Sequence, residues 1–282
     1  RARLNVAFTT DTPFAERWVR HFSNHFSVSL RRIQATLYVG SFEREVARTH
    51  AFGRFADMLL ASTQHPAMLT YLDNQRSVGP ESDFAQRPRR TPEDDDASGR
   101  GLNENLAREV LELHALGADG GYTQDDVRAL AVLLTGWASD NRNEHGGGFY
   151  FSPQKHQPGG VTLLGKRYGE GLEEGVRAIR DIAAHPATAR NVCRRLAKQF
   201  RIDDPADIAK LEASFRATGG RLDELARVLI GLKGSGIPVI RSPDDWVAAL
   251  VRASGGVSAF ALPTRGSGRL SSGKRSRPDG GP

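Results

Sequence analysis

Phe14, Trp18, Phe22 and Phe26 recur at every fourth position. A chain that sets its largest apolar side chains at this interval must bury one face of a helix. The interval returns along most of the chain. It predicts helices over 13–30, over 41–61 from Ser41, and in a short segment after Pro66. Further helices are expected over 102–116, 124–135, 172–184, 187–200, 205–217, 222–232 and 244–253. Thr123 followed by Asp126 is close to a capping box, and Gly136 is placed to end the helix it starts. Only 149–168, with glycine, proline and alternating apolar residues, reads as a hairpin. The expected class is therefore mainly α, a multi-helix globular bundle with at most one small hairpin near 149–168.

The helical pattern stops after Leu262, where glycine, serine, arginine and proline leave almost nothing to bury. We expect a single helical domain over 1–262, with the loop at 78–101 as the point of any subdivision. A disordered tail is expected over 263–282, either natural or the product of a shifted reading frame. The first residue is Arg1 rather than methionine, so the chain reads as a fragment of a longer protein. The compartment, bacterial cytoplasm or exported, stays open. No run of about 18 apolar residues exists, so no membrane span is expected.

The net charge of +6 invites a nucleic-acid reading, but its distribution argues against one. Arg265, Arg269, Lys274, Arg275 and Arg277, against the single Asp279, lie in the tail, and without them the balance falls to +2. No nucleic-acid partner is expected. The one cysteine, Cys193, lines up with Val192, Leu196 and Phe200 and reads as a packed core thiol.

Chemistry-bearing residues stand out in two helices. His21 and His25 share a helix face, a spacing that can chelate a metal, although Phe22 stands where a zinc protease carries its glutamate. His25 falls about 20° from Phe14 and from Trp18, inside the apolar arc, with Asn24 and Arg17 beside it. In the second helix Leu102, Leu106, Val110 and Leu113 form the expected buried stripe. Glu109 falls about 20° from Leu102, on the stripe itself, where a carboxylate needs a partner. Asn105, Glu112 and Arg108 lie around it. One reading is a structural ion pair or helix tie; the other is a carboxylate site that binds a metal or acts as a base. His156 sits on a loop, where a surface position is the default, and could reach a cleft. Asp119-Gly120-Gly121 lacks the remaining ligands of a calcium loop, and Gly146-Gly147-Gly148 lacks the lysine of a phosphate loop.

The order of these pieces resembles one bacterial family, that catalogued as domain of unknown function 1800 (DUF1800). The resemblance rests on Glu16-Arg17, Asn24-His25-Phe26, Phe42-Glu43-Arg44-Glu45, His65-Pro66-Ala67-Met68-Leu69 and Tyr71-Leu72-Asp73-Asn74. It continues through Gly101-Leu102-Asn103-Glu104-Asn105, Ala107-Arg108-Glu109, Leu111-Glu112-Leu113, Gly120-Gly121-Tyr122-Thr123 and Leu134-Thr135-Gly136-Trp137. Phe151, His156, Leu164-Gly165 and a second His-Pro-Ala at 185–187 complete it. The resemblance implies a helical fold and a secreted protein encoded nearby as a partner, but no activity or cofactor.

Glu109, His25 and Arg108 are thus the catalytic candidates, and Asn24, Asn105, Glu112 and His156 the binding candidates. Asn24, His25, Asn105, Arg108 and Glu109 are expected to line a buried polar cleft, a metal-assisted hydrolase-type site. The cofactor is unknown; a divalent metal is compatible with the donor set. The alternative is a non-enzymatic scaffold or interaction protein whose buried polar residues fix how the helices pack.

Overall fold

Among the described residues five helices begin on a proline, at Pro13, Pro66, Pro186, Pro205 and Pro243. The first helical residue has no partner for its N–H, so a residue lacking one loses nothing there. The computed structural model describes residues 2–29, 33–87, 101–140, 148–232 and 243–255. In chain order its helices are α1 (Ala2–Thr9), α2 (Pro13–His25), α3 (Ile33–Thr36), α4 (Val39–Phe42), α5 (Phe55–Gln64), α6 (Pro66–Tyr71) and α7 (Asp83–Gln86). They continue as α8 (Asn105–Glu109), α9 (Gln124–Leu133), α10 (Leu172–Ala184), α11 (Pro186–Phe200), α12 (Pro205–Ala217), α13 (Leu222–Gly231) and α14 (Pro243–Ala253). Two segments, Glu43–Arg48 and Val110–Ala115, are wide π-helical turns directly following α4 and α8.

The chain forms two compact units, one from 1–13 with 239–282 and one from 14–238. In the smaller unit α1 packs on α14, and Arg252 donates to the Thr10 carbonyl at 2.7 Å. In the larger, α5 lies against α10, α11 against α12, and α12 against α13. The fourth-position aromatics of the sequence form the seam of its core. Trp18 is ringed by Phe14, Phe22, Phe52 and Phe200, and Phe26 stacks on Phe55. The Trp18 indole N–H donates to the Ala51 carbonyl at 2.6 Å, so even this buried ring has its polar atom paired. Cys193 is fully buried, and burial pushes its thiol pKa up, as a core thiol requires.

The expected helix over 41–61 is broken. Its first part passes from α4 into the Glu43–Arg48 π-turn, Gly53 interrupts it, and α5 restarts at Phe55. The β structure also differs in detail from one hairpin. There are two antiparallel ribbons, β1 (Trp137–Ser139) with β2 (Phe149–Phe151) and β3 (Val161–Leu163) with β4 (Lys166–Tyr168). Trp137-Ala138-Ser139 is buried throughout, so it carries no alternation for a sequence reading to detect. Gly136 at φ 79° swings the chain from α9 into β1, and a Cβ there would sit 2.5 Å from the Ser152 carbonyl oxygen. Only glycine serves at that corner. The 263–282 tail, and the acidic run 93–96, lie outside the described residues. Among the described residues no helix is long and apolar enough to cross a membrane.

Candidate functional site

The last carbonyls of a helix have no partner within it. At the end of the Val110–Ala115 π-helix three consecutive ones are met by side chains from elsewhere. The Leu113 carbonyl accepts from Arg195 Nη1 at 2.7 Å, the His114 carbonyl from His25 Nε2 at 2.8 Å, and the Ala115 carbonyl from Asn191 Nδ2 at 2.7 Å. A carbonyl can only accept, so His25 carries its proton on Nε2 and its Nδ1 is a bare lone pair. That Nδ1 is buried without a hydrogen-bond partner, as is Nε2 of His21.

His21, His25 and His114 are 7%, 3% and 3% exposed and lie side by side. Ring centroids are 6.1 Å apart for His21–His25 and 6.5 Å for His25–His114. Phe22, Phe26, Phe55 and Phe200 pack around them. Desolvation, then the nearby Arg195 guanidinium, lowers His21 to about 4 and His114 to about 3. The same two causes, in that order, hold His25 well below its ordinary value. All three rings are neutral near pH 7. Arg195 is itself held low by burial.

Of the residues expected to line a buried cleft, His25 alone is fully buried. Asn24, Asn105 and Arg108 are exposed, and Glu109 and Glu112 are half-buried. Arg108 points outward to Glu104 at 3.1 Å and Gln124 at 3.0 Å. Burial, and then the neighbouring Glu112, raise the Glu109 carboxyl above its usual range. Glu112 in turn takes a hydrogen bond from Tyr122. The angle from Leu102 to Glu109 does not apply, because Leu102 precedes the helix that starts at Asn105, and beyond Glu109 the register changes again. In a π-turn the bonds run i to i+5, so each residue advances by less than the α-helical step. Leu106, Val110 and His114 are therefore buried together, while Leu113, expected in the stripe, is 44% exposed. His114 takes its place in the core.

His156 was expected at the surface and is instead 8% exposed. The ring lies between two backbone groups: Nδ1–H donates to the Thr135 carbonyl at 2.9 Å, and Nε2 accepts from Gly171 N–H at 2.8 Å. It borders an open cavity of about 240 Å³, whose wall includes Phe151, Pro153, Pro158 and Glu170.

The same duty recurs at residues whose spacing gave no signal. Asn74 donates to both the Leu134 and Trp137 carbonyls, at 3.1 and 2.9 Å, and Asn103 to those of Leu72 and Asp73, at 3.0 and 3.1 Å. Asn191 and Arg195 were likewise unmarked. A polar residue in a motif without a charged partner nearby is the trace these leave. A separate ionic group surrounds Arg48, which grips Glu16 with both terminal nitrogens at 2.9 and 3.0 Å and also bonds Glu43. Among the described residues no three His, Cys, Asp or Glu side chains are placed to hold one metal ion.

A family model described as protein of unknown function (DUF1800) matches residues 1–273. No curated protein and no solved structure matches the chain.

Proposed function

The chain belongs to the DUF1800 family, and on that premise we propose that it acts as a non-enzymatic helical scaffold that binds another protein. The observation that carries this reading is the run of three carbonyls, at Leu113, His114 and Ala115, each met by a side chain from another helix. Groups that would be reagents in an active site are here committed to helix ends. A metal-assisted hydrolase-type site would need Glu109, His25 and Arg108 around one reacting group, and the outward ion pair of Arg108 with Glu104 does not favour that. The partner that the family resemblance offers is a secreted protein encoded nearby.

The test joins metal analysis of the purified full chain with a binding titration against that neighbouring product. The scaffold reading expects saturable binding without bound metal, unchanged by Glu109→Gln. Stoichiometric metal together with ester or amide hydrolysis, both lost in Glu109→Gln while the fold persists, would overturn it.

A further inference from the structure

Three imidazoles in one apolar pocket are an unusual way to tie helices, because each can acquire a charge that the pocket cannot solvate. His21 and His25 come from α2 and His114 from the π-helix, and the contact between His25 and His114 is part of the seam holding α2 in place. Among the described groups that act on the rings, none carries a negative charge. From α2 Phe22 faces the rings, and from the turn just after it Phe26; from α5, Phe55; from α11, Phe200 and the Arg195 guanidinium. The charged groups that act on the three rings are Arg195 and one another, and no described carboxylate is among them. The unpartnered Nδ1 of His25, whose Nε2 already carries the donated proton, is an atom at which a second proton would arrive.

We infer that His21, His25 and His114 form an acid-sensitive latch, which keeps α2 on the core when neutral and releases it when the rings are protonated. Protonation places up to three like charges within a single pocket beside a guanidinium. Moving α2 outward lets water reach the rings and separates them from Arg195. Between pH 6.5 and 5.0 ordinary carboxylates stay ionised, so histidines dominate the response in that window. A ring that binds its proton only after release, with the ordinary value of about 6.5, adds a factor of roughly 15 to the opening equilibrium across those 1.5 pH units.

Amide hydrogen exchange of the full chain, read on peptides covering 13–25 and 105–116 at both pH values and corrected for intrinsic rates, tests the latch. Both peptides should lose protection at pH 5.0 by at least about 15-fold while α12 and α13 keep theirs. The triple variant His21→Phe, His25→Gln, His114→Leu should abolish the change, since glutamine keeps a donor for the His114 carbonyl. Retained protection of α2 at pH 5.0, unfolding of the whole chain as one unit, or an unchanged response in the triple variant would each overturn the latch. If the triple variant does not fold at pH 7.4, His21→Phe and His114→Leu are measured singly. Each should shrink the response by roughly 15-fold, and an unaltered response in both ends the idea.

Discussion

A neutral imidazole has one proton to donate, and at His25 it is directed at a backbone oxygen that no helix can satisfy. Removing that donor leaves a buried carbonyl bare. His25→Ala should therefore lower stability by about 2–4 kcal/mol, from the lost bond and the void together. His25→Gln should recover part of that loss in a urea titration at pH 7.5. Equal losses for the two variants would show that packing alone holds the site. Glu109 behaves in the opposite sense. Its carboxyl is held above the usual range by burial and by Glu112, so ionisation is less favourable in the folded chain than in the unfolded one. The stability such a group lends is present while it is protonated and is lost as the pH rises through its folded value. At pH 7 Glu109→Gln should leave the Tm unchanged or raise it slightly; a fall of several degrees would show that the carboxylate makes a stabilising bond.

At the scale of elements, asparagine side chains add donors to carbonyls at element ends, beside backbone bonds such as that of Trp137 N–H to the Leu134 carbonyl. Asn74→Leu would strip a donor from both the Leu134 and Trp137 carbonyls. We expect a loss of about 2–4 kcal/mol by denaturant unfolding. Gly175 shows a different limit. It lies within α10, and a Cβ there would stand 2.8 Å from Cζ2 of Trp137, so Gly175→Ala should destabilise by about 1–3 kcal/mol despite alanine's better helix propensity. A gain in Tm would mean the indole can move aside. The helices themselves were legible because Phe14, Trp18, Phe22 and Phe26 keep a constant interval, and Thr123 with Asp126 does form its capping box. The site was only partly legible. A fixed angular step placed His25 correctly, since α2 is a regular helix throughout. It failed at Glu109, reckoned from Leu102 ahead of the helix that starts at Asn105, and again at Leu113, where the ladder widens and nothing in Val110-Leu111-Glu112-Leu113 announces the change. The ring of β1 residues was hidden for a related reason: burial on both faces erases periodicity.

For the molecule as a whole, the depressed histidines set how stability varies with pH. A histidine whose folded value lies below its unfolded value stabilises fully above about 6.5 and loses that contribution as the pH falls toward the folded value. For His21 the window runs from about 6.5 down to about 4, a contribution on the order of 3 kcal/mol. The urea midpoint should therefore be flat from pH 8 to 7 and decline steadily below 6.5. A midpoint that held constant down to pH 5 would contradict burial of the rings. Cysteine chemistry adds nothing to this profile, because Cys193 is enclosed and its thiol stays protonated across the range.

The two His-Pro-Ala corners are one device used twice. His65 and His185 each cap the next helix through Nδ1, accepting from Ala67 N–H at 3.0 Å and Ala187 N–H at 3.2 Å. In each, the histidine N–H returns to the third residue before it, Ser62 or Ile182, and the residue three positions on, Met68 or Thr188, donates to the histidine carbonyl. The helices that lead into them, α5 and α10, lie against each other. A corner that closes all its bonds locally is interchangeable, in the way of a standard joint. Exchanging the tripeptides with their flanking residues, 182–188 for 62–68, should preserve the direction of both helix pairs. Contacts made outside the corner, such as those of the buried His65 with Glu45 at 3.3 Å and with the Phe42 ring, would have to be rebuilt.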